Sequence, residues 1–302
     1  MKKMMIAAAA VLLSGCFSPV EGELGDVIDE TEGAVSVRTK KFTFTMKGDF
    51  GNANFTSGDS GITETRGYMS ADGQDMTDLW VFDYMGDSLV QRVHQTATDV
   101  TWGAPQMSLS YGSHVLYFIA SRGDSAAVDT AASLITWNIP RDTFWKSYAV
   151  TVASTSNGNR AVTLDRIVTK LKLTVLDEIP SGCSTLTVVP AVWYYGLNYR
   201  TGEPSGAINS KERTVTVPAT YVGTSGQVNV SIFGMSGADE WTTDVTLTAK
   251  DGSNAVMGTV TIPGVPFKRN RVTDYRGSLF GSAGLTDVGL SSEWEAARTG
   301  TW

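Results

Sequence analysis

The sequence predicts an all-β protein of two tandem β-sandwich domains, on three observations. Thr, Ser, Val and Gly are abundant while helical periodicity is rare. Short apolar runs recur along the chain, separated by Gly, Pro, Asn and Ser. One stretch alternates with a clean period of two: Ile167, Thr169, Leu171, Leu173 and Val175 on one face, Lys170, Lys172 and Thr174 on the other. No internal repeat of roughly 20–50 residues is present, which argues against a propeller or solenoid.

The elements follow in order. Residues 35–46 alternate as a first strand, with Phe42, Phe44 and Met46 on one face and a phase slip around residues 39–41. Residues 48–67 carry few apolar side chains and read as a long loop. Residues 76–84 form a dense strand. Gly86 and Asp87 then make a hairpin to a less regular strand over 88–95. Residues 115–119 are continuously apolar, as in a central strand buried on both faces. Residues 124–134, Ala-rich and free of Gly and Pro, predict the one short helix. Strands are expected over 135–140 and 147–152, and two adjoining strands over 161–176. Further strands should follow over 184–189, 213–218, 227–233, 244–249, 255–262 and 269–279, with a polar tail from 281. The boundary between the domains, 35–164 and 165–302, is placed near Asp165.

The N-terminus carries an address. Lys2 and Lys3 precede an apolar run from Met4 to Leu13, a signal-peptide pattern too short to span a membrane. The string Leu13, Ser14, Gly15, Cys16 resembles the lipobox of bacterial lipoproteins, which implies cleavage after residue 15 and acylation of Cys16. Two or more acyl chains give stable anchoring, each buried methylene contributing about 0.8 kcal/mol. Residues 16–34, acidic and aperiodic, then form a tether.

Composition excludes several functions. The net charge is -7 with no basic cluster, which argues against nucleic acid. Of two cysteines, Cys183 alone remains once Cys16 is acylated, so neither an intramolecular disulfide nor a Cys/His zinc site is expected. No nucleophile elbow, zinc-protease motif or phosphate loop occurs, and no cofactor or metal is implied. His94 and His114 read as structural, and Asp78 and Asp83 as hydrogen-bonding groups at the ends of a buried strand. Asp124 and Asp129 each open an Asp-Ser/Thr-Ala triplet similar to a bacterial glycosylation site. Trp193, Tyr194, Tyr195 and Tyr199 cluster in a turn-rich stretch, with Trp241 further on. Exposed, they would form a platform for sugar rings; buried, they would fill the sandwich.

Three segments carry a family resemblance. These are residues 77–84 (Asp78, Leu79, Trp80, Val81, Phe82, Asp83), residues 164–173 (Leu164, Ile167, Lys170, Leu171, Leu173) and residues 266–280 (Pro266, Phe267, Arg269, Arg271, Asp274, Tyr275, Phe280). Together with the lipobox they resemble the fimbrillin-like lipoproteins of the Bacteroidota, subunits of type V pili. The resemblance implies transthyretin-like sandwiches, assembly with other fimbrial subunits by strand donation, and a place on the cell outer membrane as a surface-exposed lipoprotein. It also implies cleavage after an Arg in stalk subunits. Here the candidates are Arg38, inside the expected first strand, and Arg66, in the long loop. A cut after Arg38 should remove the lipid and part of that strand; a cut after Arg66 should remove all of it. The short distance from Cys16 to the first strand favours a basal anchor or minor subunit. The alternative is a surface glycan-binding lipoprotein using Trp193, Tyr194 and Tyr195. The tail beyond Phe280 alternates poorly for a donor strand.

Overall fold

The computed structural model describes residues 38–48, 68–69, 75–122, 126–209, 212–237, 240–281 and 298–301. Cys16, Arg66, the tether and most of the expected long loop lie outside them. The first part of the chain supplies β1 (Thr39–Gly48), β2 (Tyr68–Met69), β3 (Asp75–Met76), β4 (Asp78–Met85), β5 (Ser88–Thr96) and β6 (Gln106–Ser110). It continues with β7 (Gly112–Ser121), β8 (Ala126–Asp129), β9 (Leu134–Trp137), β10 (Thr143–Val152) and β11 (Asn159–Arg166). The rest supplies β12 (Val168–Val175), β13 (Cys183–Pro190), β14 (Val192–Asn198), β15 (Glu203–Asn209) and β16 (Arg213–Thr216). It closes with β17 (Asn229–Met235), β18 (Trp241–Asp251), β19 (Val256–Phe267), β20 (Val272–Gly277) and β21 (Arg298–Thr301). Among the described residues the only helical segment is a 3-10 turn, Ala219–Tyr221. The fold is all-β, as the sequence predicts.

A seven-stranded sheet, in order β5-β4-β7-β10-β11-β1-β6, forms the first sandwich by folding on itself. β10 pairs with β11 only at Phe144↔Arg166 and Trp145↔Asp165, so the sheet creases there. Phe44 of β1 then meets Phe118 of β7 across the core, with ring centroids 5.3 Å apart. β1 keeps strict alternation: Phe42, Phe44 and Met46 are fully buried while Lys41 and Thr45 are exposed. Each such side chain contributes about 1.5–3 kcal/mol on burial. Both backbone edges of β1 are used. One pairs antiparallel with β6 over residues 39–43 and continues with Phe44 and Met46 donating to the carbonyls of Pro105 and Gly103. The other runs parallel to β11 from Thr43↔Asn159 to Gly48↔Leu164.

The second sandwich packs sheet β17-β12-β20-β21 on sheet β16-β13-β18-β19. Leu171, Leu173, Val230 and Ile232 of one meet Leu186, Val188, Val245 and Leu247 of the other in one core. β21 pairs parallel to β20, from Thr273↔Arg298 to Arg276↔Thr301, at the sheet's edge.

A third sheet, β15-β14-β9-β8, joins the two sandwiches. It pairs a hairpin that precedes β10 with one that follows β13, through Gly196↔Thr136, Leu197↔Ile135 and Asn198↔Leu134. A third core lies beside it, made by Trp80, Phe82, Tyr117, Ile119, Trp137 and Tyr199 among others. β7 therefore buries both faces, Leu116 and Phe118 in the first core and Tyr117 and Ile119 in the third.

This bridge overturns two expectations. The helix expected over 124–134 is absent from its described part, residues 126–134, which form β8, the turn after it and the start of β9, while the strand expected from residue 135 is present as β9. Asp129 Oδ1 accepts from the backbone N–H of Ala131 at 2.9 Å and of Ala132 at 3.0 Å, and Ser133 takes a positive φ of 57°. Helix propensity is worth tenths of a kcal/mol per residue, less than burying Ile135 and Trp137 and pairing with β14. Likewise the stretch expected to be turn-rich, around Trp193, is strand β14.

Candidate functional site

Trp193 fixes the second sandwich rather than a surface. It alternates inward on β14 and is fully buried. Its indole N–H donates to the Phe233 carbonyl at 2.9 Å, and its ring lies edge-on to Phe267 at 4.9 Å. The ring sits directly on Gly234, where a Cβ would come within 2.5 Å of it, so this approach needs a residue without a side chain. Tyr194 is half-buried edge-on against Trp241, with centroids 5.7 Å apart, and Tyr195 is half-buried beside Gly206. Tyr199 is fully buried, stacked on Phe82 at 4.0 Å, with its hydroxyl 2.9 Å from that of Tyr84. Burial, and then the Tyr84 hydroxyl, hold the Tyr199 phenol far above its usual range. The expected sugar platform is therefore corrected. Its central ring has no free face, because β14 is an inner strand with packing on the side to which Trp193 points.

Asp83 and His114 make the most enzyme-like arrangement among the described residues. Asp83 lies in β4 and His114 in β7, and the β4–β7 pairing brings both to one end of the sheet, Asp83 opposite Leu116. His114 Nδ1 is 2.8 and 3.0 Å from the two Asp83 carboxylate oxygens. Its Nε2 is 3.3 Å from Ser110 Oγ but only 2.9 Å from the Ser110 carbonyl. Serine, histidine and aspartate thus stand in triad order, yet the geometry is not that of acyl transfer. A carbonyl only accepts, so Nε2 carries a proton and cannot take one from the hydroxyl. Both titratable side chains are also almost completely buried. The arrangement satisfies two polar groups that β4 and β7 would otherwise bury alone. The other histidine, exposed His94, bonds Asp78 at 2.6 Å and stacks on Trp80.

Burial raises the Asp83 pKa above its ordinary value, against the opposing hydrogen bond and charge of His114. A carboxyl raised in the folded state contributes stability that is complete below the unfolded pKa of about 4 and is lost as pH rises through the folded value. Asp83→Asn cannot ionise. Urea unfolding across pH 4–7 should therefore show the stability difference between wild type and variant moving in the variant's favour as pH rises. A difference independent of pH would contradict this.

Cys183 is buried, and desolvation pushes its thiol pKa up, the reverse of what a nucleophile needs. Among the described residues no group of three or more His, Cys, Asp and Glu side chains could hold a metal, and no helix is long and apolar enough to cross a membrane.

Of the two candidate cleavage sites only Arg38 is described. It is exposed, and its carbonyl accepts from the Tyr111 N–H at 2.9 Å. β1 starts at the next residue, Thr39. A cut after Arg38 would thus leave all of β1 in the sandwich, where the sequence reading expects part of it to leave.

No protein-family model and no curated protein matches the chain. Solved structures similar to it include a "putative adhesin" from Bacteroides ovatus, with TM-score 0.46, 11% identity, and coverage of 74% of this chain and 77% of that one. The fimbrial anchor protein Mfa2 from Porphyromonas gingivalis has TM-score 0.42 and 8% identity, over 74% of this chain and 82% of that one. A "putative cell adhesion protein" from Bacteroides eggerthii has TM-score 0.41 and 13% identity, over 87% of this chain and 97% of that one.

Proposed function

We propose that this chain is a fimbrillin-like surface lipoprotein, acylated at Cys16, that serves a fibre as its basal anchor or as a minor subunit. The observation that carries the reading is the setting of β1. It buries three large side chains, is hydrogen-bonded on both edges, and follows directly on an exposed Arg. Were β1 removed, β6 and β11 would each lose a partner, and a groove the length of a strand would open over Phe118 and its neighbours. Another subunit's strand could fill that groove with the same ladder and the same alternation of side chains.

With β1 in place the groove is filled. Such a subunit can donate a strand but cannot accept one there, so it ends a fibre rather than extending it. Its lipid would then hold that end to the outer membrane. Cleavage at Arg38 would release the lipid without opening the groove; only a cut beyond β1, as at Arg66, would do both. The strand that this subunit would donate is β21, whose backbone is paired on one side at a sheet edge, even though the sequence of the tail alternates poorly. The reading requires no enzymatic step by this chain. It is tested by the chemical identity of the N-terminus on cells, where an acylated Cys16 is expected.

A further inference from the structure

A pocket of about 230 Å³ opens beside the second sandwich, where edge strands β16 and β17 meet the segment between β9 and β10. Its lining is unlike the rest of the molecule. The chain carries 31 Asp and Glu against 24 Lys and Arg, yet Arg141, Lys170 and Arg213 all line this pocket and, among the described residues, no carboxylate does. Asn229 and Ser231 add uncharged polar groups, and Phe233 gives an apolar wall under the Lys170 ammonium, which lies 5.2 Å from the ring centroid.

The three cations come from distant parts of the sequence, and the fold holds them together. Lys170 sits opposite Phe233 in the β12–β17 pair, and Arg213 opposite Val188 in the β13–β16 pair. Arg213 is half-buried. Burial and then the nearby Arg141 charge lower its pKa. Arg141 and Arg213 stand close enough for one charge to oppose the other, and an anion between them relieves that repulsion.

From this arrangement we infer that the pocket is an oxyanion site, built to take a phosphate, sulfate or carboxylate group. The guanidinium groups of Arg141 and Arg213 and the ammonium of Lys170 surround the anion. Asn229 and Ser231 offer further donors, and Phe233 bounds whatever carries the group. None of the described residues lining the site belongs to β1 or β21.

The test titrates the purified chain with inorganic sulfate and with inorganic phosphate at constant ionic strength, by calorimetry and by the shift in melting temperature. Saturable binding of either anion is expected, with a melting temperature that rises with anion concentration. Arg213→Gln should weaken binding about 10- to 100-fold, since a hydrogen bond to a charged group is worth about 1.5–3 kcal/mol. Without anion the variant should melt no lower than wild type, because it loses a like-charge neighbour of Arg141. The control Arg92→Gln, at an exposed position on β5, should bind as wild type does. Absence of saturable binding, binding unchanged in Arg213→Gln, or equal loss in both variants would overturn the inference.

Discussion

Replacing Trp193 by Ala is expected to destabilise the protein by about 3–5 kcal/mol, the range for deleting a large buried aromatic side chain. The cost has two sources. The indole fills the space between Gly234, Phe267 and Trp241, so its removal leaves a cavity that β14 and β17 cannot close without breaking their pairings. The Phe233 carbonyl also loses the indole N–H that reaches it. Urea unfolding should show a midpoint lowered with little change in slope. Tyr195→Ala, at a half-buried position, should cost far less. A surface platform would behave in the opposite way, with Trp193→Ala folding as stably as wild type and losing only a ligand.

Breaking the ion pair between Asp142 and Arg166 should cost as much. Arg166 ends β11 and Asp142 directly precedes β10, so the pair spans the crease in the seven-stranded sheet. Arg166 Nε donates to Asp142 Oδ1 at 2.8 Å and a terminal guanidinium nitrogen donates to Oδ2 at 3.0 Å. Both side chains are only 3% exposed, and the guanidinium lies 4.7 Å from the Phe144 ring centroid. Removing one partner leaves the other charge buried without its counterion, which costs about 3–5 kcal/mol. Arg166→Met and Asp142→Leu should each show that loss. The double variant, with no charge left to bury, should recover much of it, so the two changes should be strongly non-additive in unfolding experiments. Additive losses would mean that the pair is not the unit that matters.

Local patterns revealed the strands whose faces differ, and distant pairing hid the rest. The alternation from Ile167 to Val175 corresponds to β12, and the unbroken apolar run at 115–119 to a strand with a core on each face. The strand expected over 135–140 corresponds to β9, but nothing local marks β8 as a strand: it pairs with β9, which is held in turn by β14, far along the chain. The same gap explains Trp193. The neighbouring Gly and Asn residues suggest a turn, while the strand exists because β9 and β15 flank it.

The functional features divide in the same way. Asp83 within an apolar run is a legible warning, since a buried carboxylate must find a partner. That the partner is His114 depends on how β4 pairs with β7. The cations of the oxyanion pocket are separated by long stretches of sequence and acquire meaning only when β12 and β16 bring two of them beside Arg141. Val35 and Val37 extend the expected first strand back past Arg38, across the phase slip at 39–41. β1 instead begins at Thr39, which changes what a cut there would do.

The role of β1 is best decided by mass spectrometry of the N-terminus of the protein recovered with fibres from the cell surface. An anchor that keeps its first strand predicts an acylated Cys16, with residues 39–48 still joined to the rest of the chain. A free N-terminus at Gly67, with β1 gone, would contradict it and make the chain a subunit that accepts a strand. One at Thr39 would also contradict it, since the groove would stay filled but the lipid would be lost.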